Sequence, residues 1–173
     1  GTVVFGRGDT VVALSTADGS QQWRTTTQGG QVGPTAGSDG TVYVTENSGR
    51  LAARVPTDGT VAWDVELGGR LESAPAVGDG ALYVGAALAL DTTGGGVLWE
   101  NPDADVRDQS TPAIGDGTVY TVGFNAIVGL SPQDGSVQWA FQNQGMGRRA
   151  TAPAVAGDSV YFGSESTLYA VSV

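Results

Sequence analysis

Cysteine, histidine and lysine are missing from all 173 residues, and methionine occurs once. Each absence closes a class of chemistry. Without cysteine there are no disulfides and no thiolate ligands, and the redox compartment leaves no mark on the sequence. Without histidine, general acid–base catalysis rests on Asp and Glu alone. No stretch approaches the roughly 20 apolar residues that a membrane-spanning helix needs, and no signal-peptide pattern stands at the start. The eight basic residues are all arginine, set against eighteen Asp and Glu, for a net charge of −10. That balance disfavours nucleic acid and anionic membrane surfaces, both of which call for basic patches. An acidic, lysine-free surface is the kind found on halophilic archaeal proteins, which stay soluble when salt screens ordinary repulsion. The alternative is an ordinary acidic extracellular protein. On the halophile reading the melting temperature rises from dilute buffer to molar KCl, because salt screens self-repulsion and strengthens apolar burial. A flat or falling melting curve over that range removes the reading.

What the chain does contain is a repeat. The unit is clearest from Glu72 to Trp99: a proline after small residues, a Gly-Asp-Gly turn, an aromatic strand around Tyr83, a second strand at Leu88 to Leu90, a glycine turn and a tryptophan. Pro34, Pro75, Pro112 and Pro153 keep this order, as do Tyr43, Tyr83, Tyr120 and Tyr161. Trp23, Trp63, Trp99 and Trp139 fall 40, 36 and 40 residues apart. A period near 40 with several short strands per unit points to a β-propeller built of four-stranded blades. Runs such as Thr41-Val42-Tyr43-Val44-Thr45 alternate with the period of a strand, and Asp39-Gly40, Asp79-Gly80 and Asp116-Gly117 are hairpin turns. No segment has a helical period, and Pro102-Asp103-Ala104-Asp105 reads as a loop between units. The expectation is an all-β fold of about four four-stranded blades' worth of strands.

Aligning the units places the ends. Thr2 to Gly6 matches Ser159 to Gly163, the second strand of a repeat, so the first unit lacks its first strand. The last unit starts at Ala150 and stops after its third strand, Thr167 to Val171. Three strands, three sets of four and three more make eighteen. That count predicts one repeat region over 1–173, an open arc belonging to a ring of seven or eight blades, with raw edges through which copies can associate.

The segment Ala89-Leu90-Asp91-Thr92-Thr93-Gly94-Gly95-Gly96-Val97-Leu98-Trp99 resembles the tryptophan-docking motif of the pyrroloquinoline quinone (PQQ) family of propellers, A-x-D-x-x-T-G-K-x-x-W, at Ala89, Asp91, Gly95 and Trp99. Fainter copies keep Ala13, Gly19 and Trp23; Ala53, Gly59 and Trp63; and Gly135 and Trp139, with Gly129 in the alanine place. The resemblance implies that Trp23, Trp63, Trp99 and Trp139 are structural docking residues, each ring stacked between blades beside small residues. Similar repeats occur in quinone-dependent dehydrogenases, in the outer-membrane assembly lipoprotein of bacteria and in extracellular sensor regions of kinases.

The resemblance leaves two functions from different classes. One is a non-catalytic, extracytoplasmic scaffold or ligand-binding module that contacts a protein or polymer and needs no cofactor or metal. The other is a portion of a PQQ-dependent dehydrogenase, which would hold PQQ with calcium. Against the second stand the missing adjacent cysteines and the lack of an acidic constellation outside the repeat turns. Asp103, Asp105 and Asp108 share one loop but lack the glycine turn and distal glutamate of an EF-hand. No catalytic residue is assigned. The sharpest candidate site is cationic. Counting back five residues from three prolines reaches Arg70, Arg107 and Arg148, with Arg149 adjacent, and in the first copy Gly29. In a propeller these arginines would rim one mouth of the channel and could capture a carboxylate or phosphate. The competing reading pairs each with a neighbouring acid such as Glu72 or Asp108, holding blades together.

Overall fold

Alternating apolar and polar residues, punctuated by Asp-Gly turns, fold into eighteen antiparallel strands in the computed structural model, which describes residues 1–85, 87–104, 110–123, 125–142, 150–164 and 166–173. The strands form five sheets. The first contains β1 (Thr2–Arg7), β2 (Thr10–Ser15) and β3 (Gln21–Thr26). The second is β4 (Gln31–Ala36), β5 (Val42–Glu46), β6 (Arg50–Arg54) and β7 (Val61–Glu66). The third is β8 (Ala76–Gly78), β9 (Ala81–Val84), β10 (Leu88–Asp91) and β11 (Val97–Glu100). The fourth comprises β12 (Ala113–Gly115), β13 (Thr118–Val122), β14 (Ala126–Leu130) and β15 (Val137–Gln142). The fifth has β16 (Ala154–Ala156), β17 (Ser159–Ser164) and β18 (Thr167–Ser172). The chain divides into two compact units, Gly1–Val77 and Gly78–Val173.

Three, four, four, four and three strands are what the repeat alignment predicts. Two local details differ. The inner strand of the last sheet is Ala154–Ala156, starting four residues after the expected Ala150 and directly after Pro153, which has no N–H to donate. Ala150 instead makes a lone bridge to Ser164. Pro102–Ala104 is a single 3-10 turn where a loop is expected. Proline sets the first helical φ there, and the Asn101 side-chain oxygen accepts the Asp103 amide at 3.0 Å.

The turns follow from Asp and Gly chemistry. Asp79-Gly80 and Asp116-Gly117 have φ of 51° and 77°, and of 47° and 72°, the paired positive values of a type I′ hairpin. At Asp39-Gly40 only the glycine is left-handed, and the Asp39 carboxylate accepts the Thr41 amide at 3.0 Å.

Each unit has its own apolar core between sheets. In the first unit Val11, Ala13, Trp23, Val42 and Val44 are buried together with Val4 against them. In the second, Tyr120, Val122, Ile127, Val160 and Phe162 form the cluster, with Trp139, Phe141 and Tyr169 packed on it. Alternation decides membership: Val4, Val11, Ala13 and Trp23 lie on the face of the first sheet turned to the second, while Val3, Phe5, Val12 and Leu14 lie on the other face.

Candidate functional site

Each tryptophan is aimed by a bulge. Ala13 stands opposite Trp23, but the next residue, Leu14, stands opposite Gln21, so Gln22 is extra. The same slip leaves Ala62, Leu98 and Gln138 extra before Trp63, Trp99 and Trp139. A bulge bends the strand and re-aims the side chain that follows it. Trp23 then reaches into the turn of the next sheet, where its indole N–H donates to the Pro56 carbonyl at 2.7 Å. Trp99 repeats this with the Pro132 carbonyl at 2.8 Å. A Cβ added at Gly59 would lie 2.6 Å from the Trp23 ring, and one at Gly135 would lie 2.4 Å from the Trp99 ring. The glycine that admits each ring therefore belongs to the following repeat, and the motif's alanine is the cross-strand neighbour within the same sheet. Trp23 and Trp99 are buried. Trp63 and Trp139 are half-buried, beside Tyr43 and Tyr120 at ring-centroid distances of 6.0 Å each.

The turn acids have local work. Asp18, Asp58 and Asp134 each accept the amide and the hydroxyl of the residue two positions on, Ser20, Thr60 and Ser136. In the third sheet that place is taken by Gly94, and Asp91 substitutes from three residues earlier. Its carboxylate accepts the Thr93 hydroxyl at 2.6 Å and the amides of Thr93, Gly94 and Gly96. The Thr93 hydroxyl, with these amides, holds the Asp91 carboxyl below the usual carboxylate range. The Ser20 and Thr41 hydroxyls and the Thr60 amide do the same for Asp18, Asp39 and Asp58. Groups whose folded pKa is depressed contribute stability above the unfolded value and lose it as pH falls through the folded one. Melting temperature is therefore expected to hold from neutrality to about pH 4 and to drop below it. Carboxyl-carbon NMR should find Asp91 titrating below the carboxylates outside the turns, and an Asp91 midpoint at the ordinary value would contradict this account.

The expected arginine rim is described only in part. Arg107, Arg148 and Arg149 lie outside the described residues, as do Asp105 and Asp108. Arg70 is exposed and pairs with Glu72 at 3.2 Å. Gly29, at the same phase of the first copy, has no room for a side chain, since an added Cβ would meet Ser48 at 2.3 Å.

A second charged cluster, with no counterpart in the sequence reading, lies in the second sheet. Glu46 is wholly buried, Arg54 is 2% exposed and Arg50 is buried beside them. One Glu46 oxygen accepts from Arg50 Nη1 at 2.9 Å and lies 3.9 Å from Arg54. The other accepts the Gln28 and Gly29 amides, both at 3.1 Å, and so ties down the connection from β3 to β4. Arg50 Nε also binds Asp64 at 2.9 Å, and Arg54 donates to the Gly59 carbonyl at 3.0 Å. Burial pushes the Arg54 guanidinium down from its ordinary value, opposed by Glu46, while the Asp64 hydrogen bond raises Arg50. The signal for this cluster was readable from the repeat: Arg54 occupies the phase of Leu14, Leu90 and Leu130, where a charge has no place unless something buried answers it.

Among the described residues no three of His, Cys, Asp and Glu converge as a metal site would require. The turn carboxylates are held by backbone amides and Glu46 by arginines, so these residues do not fit a calcium–quinone site. No helix among them is long and apolar enough to cross a membrane.

The repeat geometry agrees with one family. The family model described as outer membrane protein assembly factor BamB matches residues 7–173. The chain belongs to the BamB family. A BamB from Yersinia pestis is 33% identical over 99 residues, which cover 52% of this chain and 25% of that protein. The crystal structure of BamB from Moraxella catarrhalis superposes with a TM-score of 0.74 at 19% identity, covering 98% of this chain and 60% of the other. Quinohemoprotein alcohol dehydrogenase ADHIIG from Pseudomonas putida HK5 gives a TM-score of 0.74 at 16% identity, over 99% of this chain and 39% of that one. The two structural likenesses establish the fold, a β-propeller arrangement of PQQ-like blades. The chain spans about a quarter of the length of the curated BamB relative and 60% of the Moraxella chain.

Proposed function

We propose that this BamB-family chain is a non-catalytic, extracytoplasmic scaffold that binds protein, part of a larger seven- or eight-bladed propeller. The observation that carries the reading is the family match across residues 7–173. The name of that family, an outer membrane protein assembly factor, supports both a protein partner and a place outside the cytoplasm. The polar chemistry of the chain is consistent with it: the turn acids hold backbone and the buried acid holds arginines, which leaves them serving architecture. Membership of a larger ring draws support from the Moraxella chain, of which these five sheets cover 60%. The net charge of −10 without lysine supports an origin in a halophile. Arg70, Arg107, Arg148 and Arg149 remain the proposed cationic rim for an anionic group of the partner.

A second reading, a portion of a quinoprotein dehydrogenase, is favoured by the fold shared with ADHIIG. Adding PQQ and calcium to the protein separates the two. The scaffold reading expects no quinone absorbance after gel filtration and no dye-linked alcohol oxidation. Retained quinone together with dye reduction would overturn it.

A further inference from the structure

The chain carries six Asp-Gly pairs, and the fold treats them in two ways. Asp18, Asp39, Asp58 and Asp134 each accept the amide and the hydroxyl of the residue two positions on. The glycine amides that follow them are engaged as well: Gly19, Gly40, Gly59 and Gly135 donate to the carbonyls of Ser15, Gly37, Val55 and Ser131 at 2.9, 3.0, 2.8 and 2.9 Å. Gly59 and Gly135 are also buried, against the Trp23 and Trp99 rings. In Asp79-Gly80 and Asp116-Gly117 neither the carboxylate nor the glycine amide has a hydrogen-bond partner among the described residues. All four of these residues are exposed, and a Cβ added at either glycine meets no atom within 4 Å.

An Asp-Gly pair sets an electrophile, the side-chain carboxyl carbon, beside a nucleophile, the following amide nitrogen, over which glycine places no side chain. Hydrogen bonds to either group oppose their reaction. The Ser20, Thr41 and Ser131 hydroxyls and the Thr60 amide also hold Asp18, Asp39, Asp134 and Asp58 below the usual carboxylate range, and an ionised carboxylate is a poor electrophile. Backbone shape separates the two groups in the same way. Asp79 and Asp116 have φ of 51° and 47°, whereas the four bonded aspartates are not left-handed. Closing a five-membered ring from the side-chain carbon to the next nitrogen turns the Asp–Gly peptide unit over and leaves the aspartate φ unchanged. A two-residue hairpin with positive φ and that unit turned over is type II′, which flanking strands accept, and glycine takes up the new φ.

We propose that Asp79-Gly80 and Asp116-Gly117 are modification sites, where aspartate converts spontaneously to isoaspartate through a cyclic succinimide. The glycine nitrogen bonds to the side-chain carboxyl carbon, the C–OH bond of that carboxyl breaks, and the hydroxyl leaves with the amide proton as water. Water then opens the ring. Attack at the side-chain carbonyl restores aspartate; attack at the main-chain carbonyl leaves the chain running through the side-chain carbons, which is isoaspartate. Nothing is oxidised or reduced, and water is the co-reactant. The product inserts an extra methylene into the tight turn between β8 and β9, or between β12 and β13, and moves the free carboxylate onto Cα. The reaction is independent of the scaffold reading, which survives its absence.

The test incubates the folded protein for weeks in water enriched in heavy oxygen, then reads label at each aspartate by mass spectrometry of its peptides. Every passage through the ring deposits one heavy oxygen, whichever carbonyl the water attacks. Asp79 and Asp116 should gain label at least about tenfold faster than Asp18, Asp39, Asp58 and Asp134, the factor that two hydrogen bonds held in the folded state confer. Methyl transfer by a protein isoaspartyl methyltransferase should map to the same two residues. In urea, where those bonds are gone, the six sites should label at similar rates. Folded-state label spread evenly over the six pairs, or absent from Asp79 or Asp116, would overturn the proposal. So would the same preference in urea, which would assign it to the preceding Gly78 and Gly115 instead of the fold.

Discussion

Trp99→Ala is expected to lower stability by about 3 to 5 kcal/mol, the range for removing a large aromatic from a packed site. The ring is buried against Gly135, and its N–H reaches the Pro132 carbonyl at 2.8 Å. Truncation therefore empties the dock and leaves that carbonyl without its partner. The cost crosses from one repeat into the next, because the ring belongs to the third sheet and its seat to the fourth. Gly135→Ala attacks the same contact from the other side. Its φ is +71° and the new Cβ would lie 2.4 Å from the ring, so a loss of about 1 to 3 kcal/mol is expected from strain and overpacking. Urea unfolding of the two single variants and the double variant measures both. Near-additive losses would show that ring and glycine do not act on one contact; the geometry requires the double variant to lose less than the sum.

Glu46→Ala should be comparably severe, at about 3 to 5 kcal/mol, because it strands a buried Arg54 beside Arg50 without the carboxylate that answers both. Exchanging the whole device is a different matter. Glu46→Ser with Arg54→Leu installs the residues found at these phases in other repeats, Ser164 and Leu14, Leu90 and Leu130. A buried ion pair replaced by packed apolar groups is often neutral or stabilising, so the double variant should recover most of the single loss. Arg50 retains Asp64 in that background. If the double variant is as unstable as Glu46→Ala alone, the harm lies in the freed Gln28 and Gly29 amides and not in the stranded arginine.

Much of this architecture is legible in the sequence. The strands, their grouping and the tryptophan phase follow from alternation, Asp-Gly turns and a period near 40, all of which act between residues close in sequence or repeat with it. Asp91 and the turn acids are legible for the same reason, since an Asp binds the amide two residues on whatever the rest of the fold does. The partner of each ring was not. Trp23 meets Gly59 and Trp99 meets Gly135 because sheets stack face to face and a bulge turns each ring toward its neighbour, and neither register slip leaves a residue type that marks it. Glu46 and Arg50 look like ordinary surface charges in the sequence, and only Arg54, at a phase that other repeats give to leucine, signals burial. Only stacking decides that they are buried, since the same strand face is covered in the second sheet and open in the first. Local chemistry thus determined the blades, and packing between repeats decided which side chains became docks, locks and free surface.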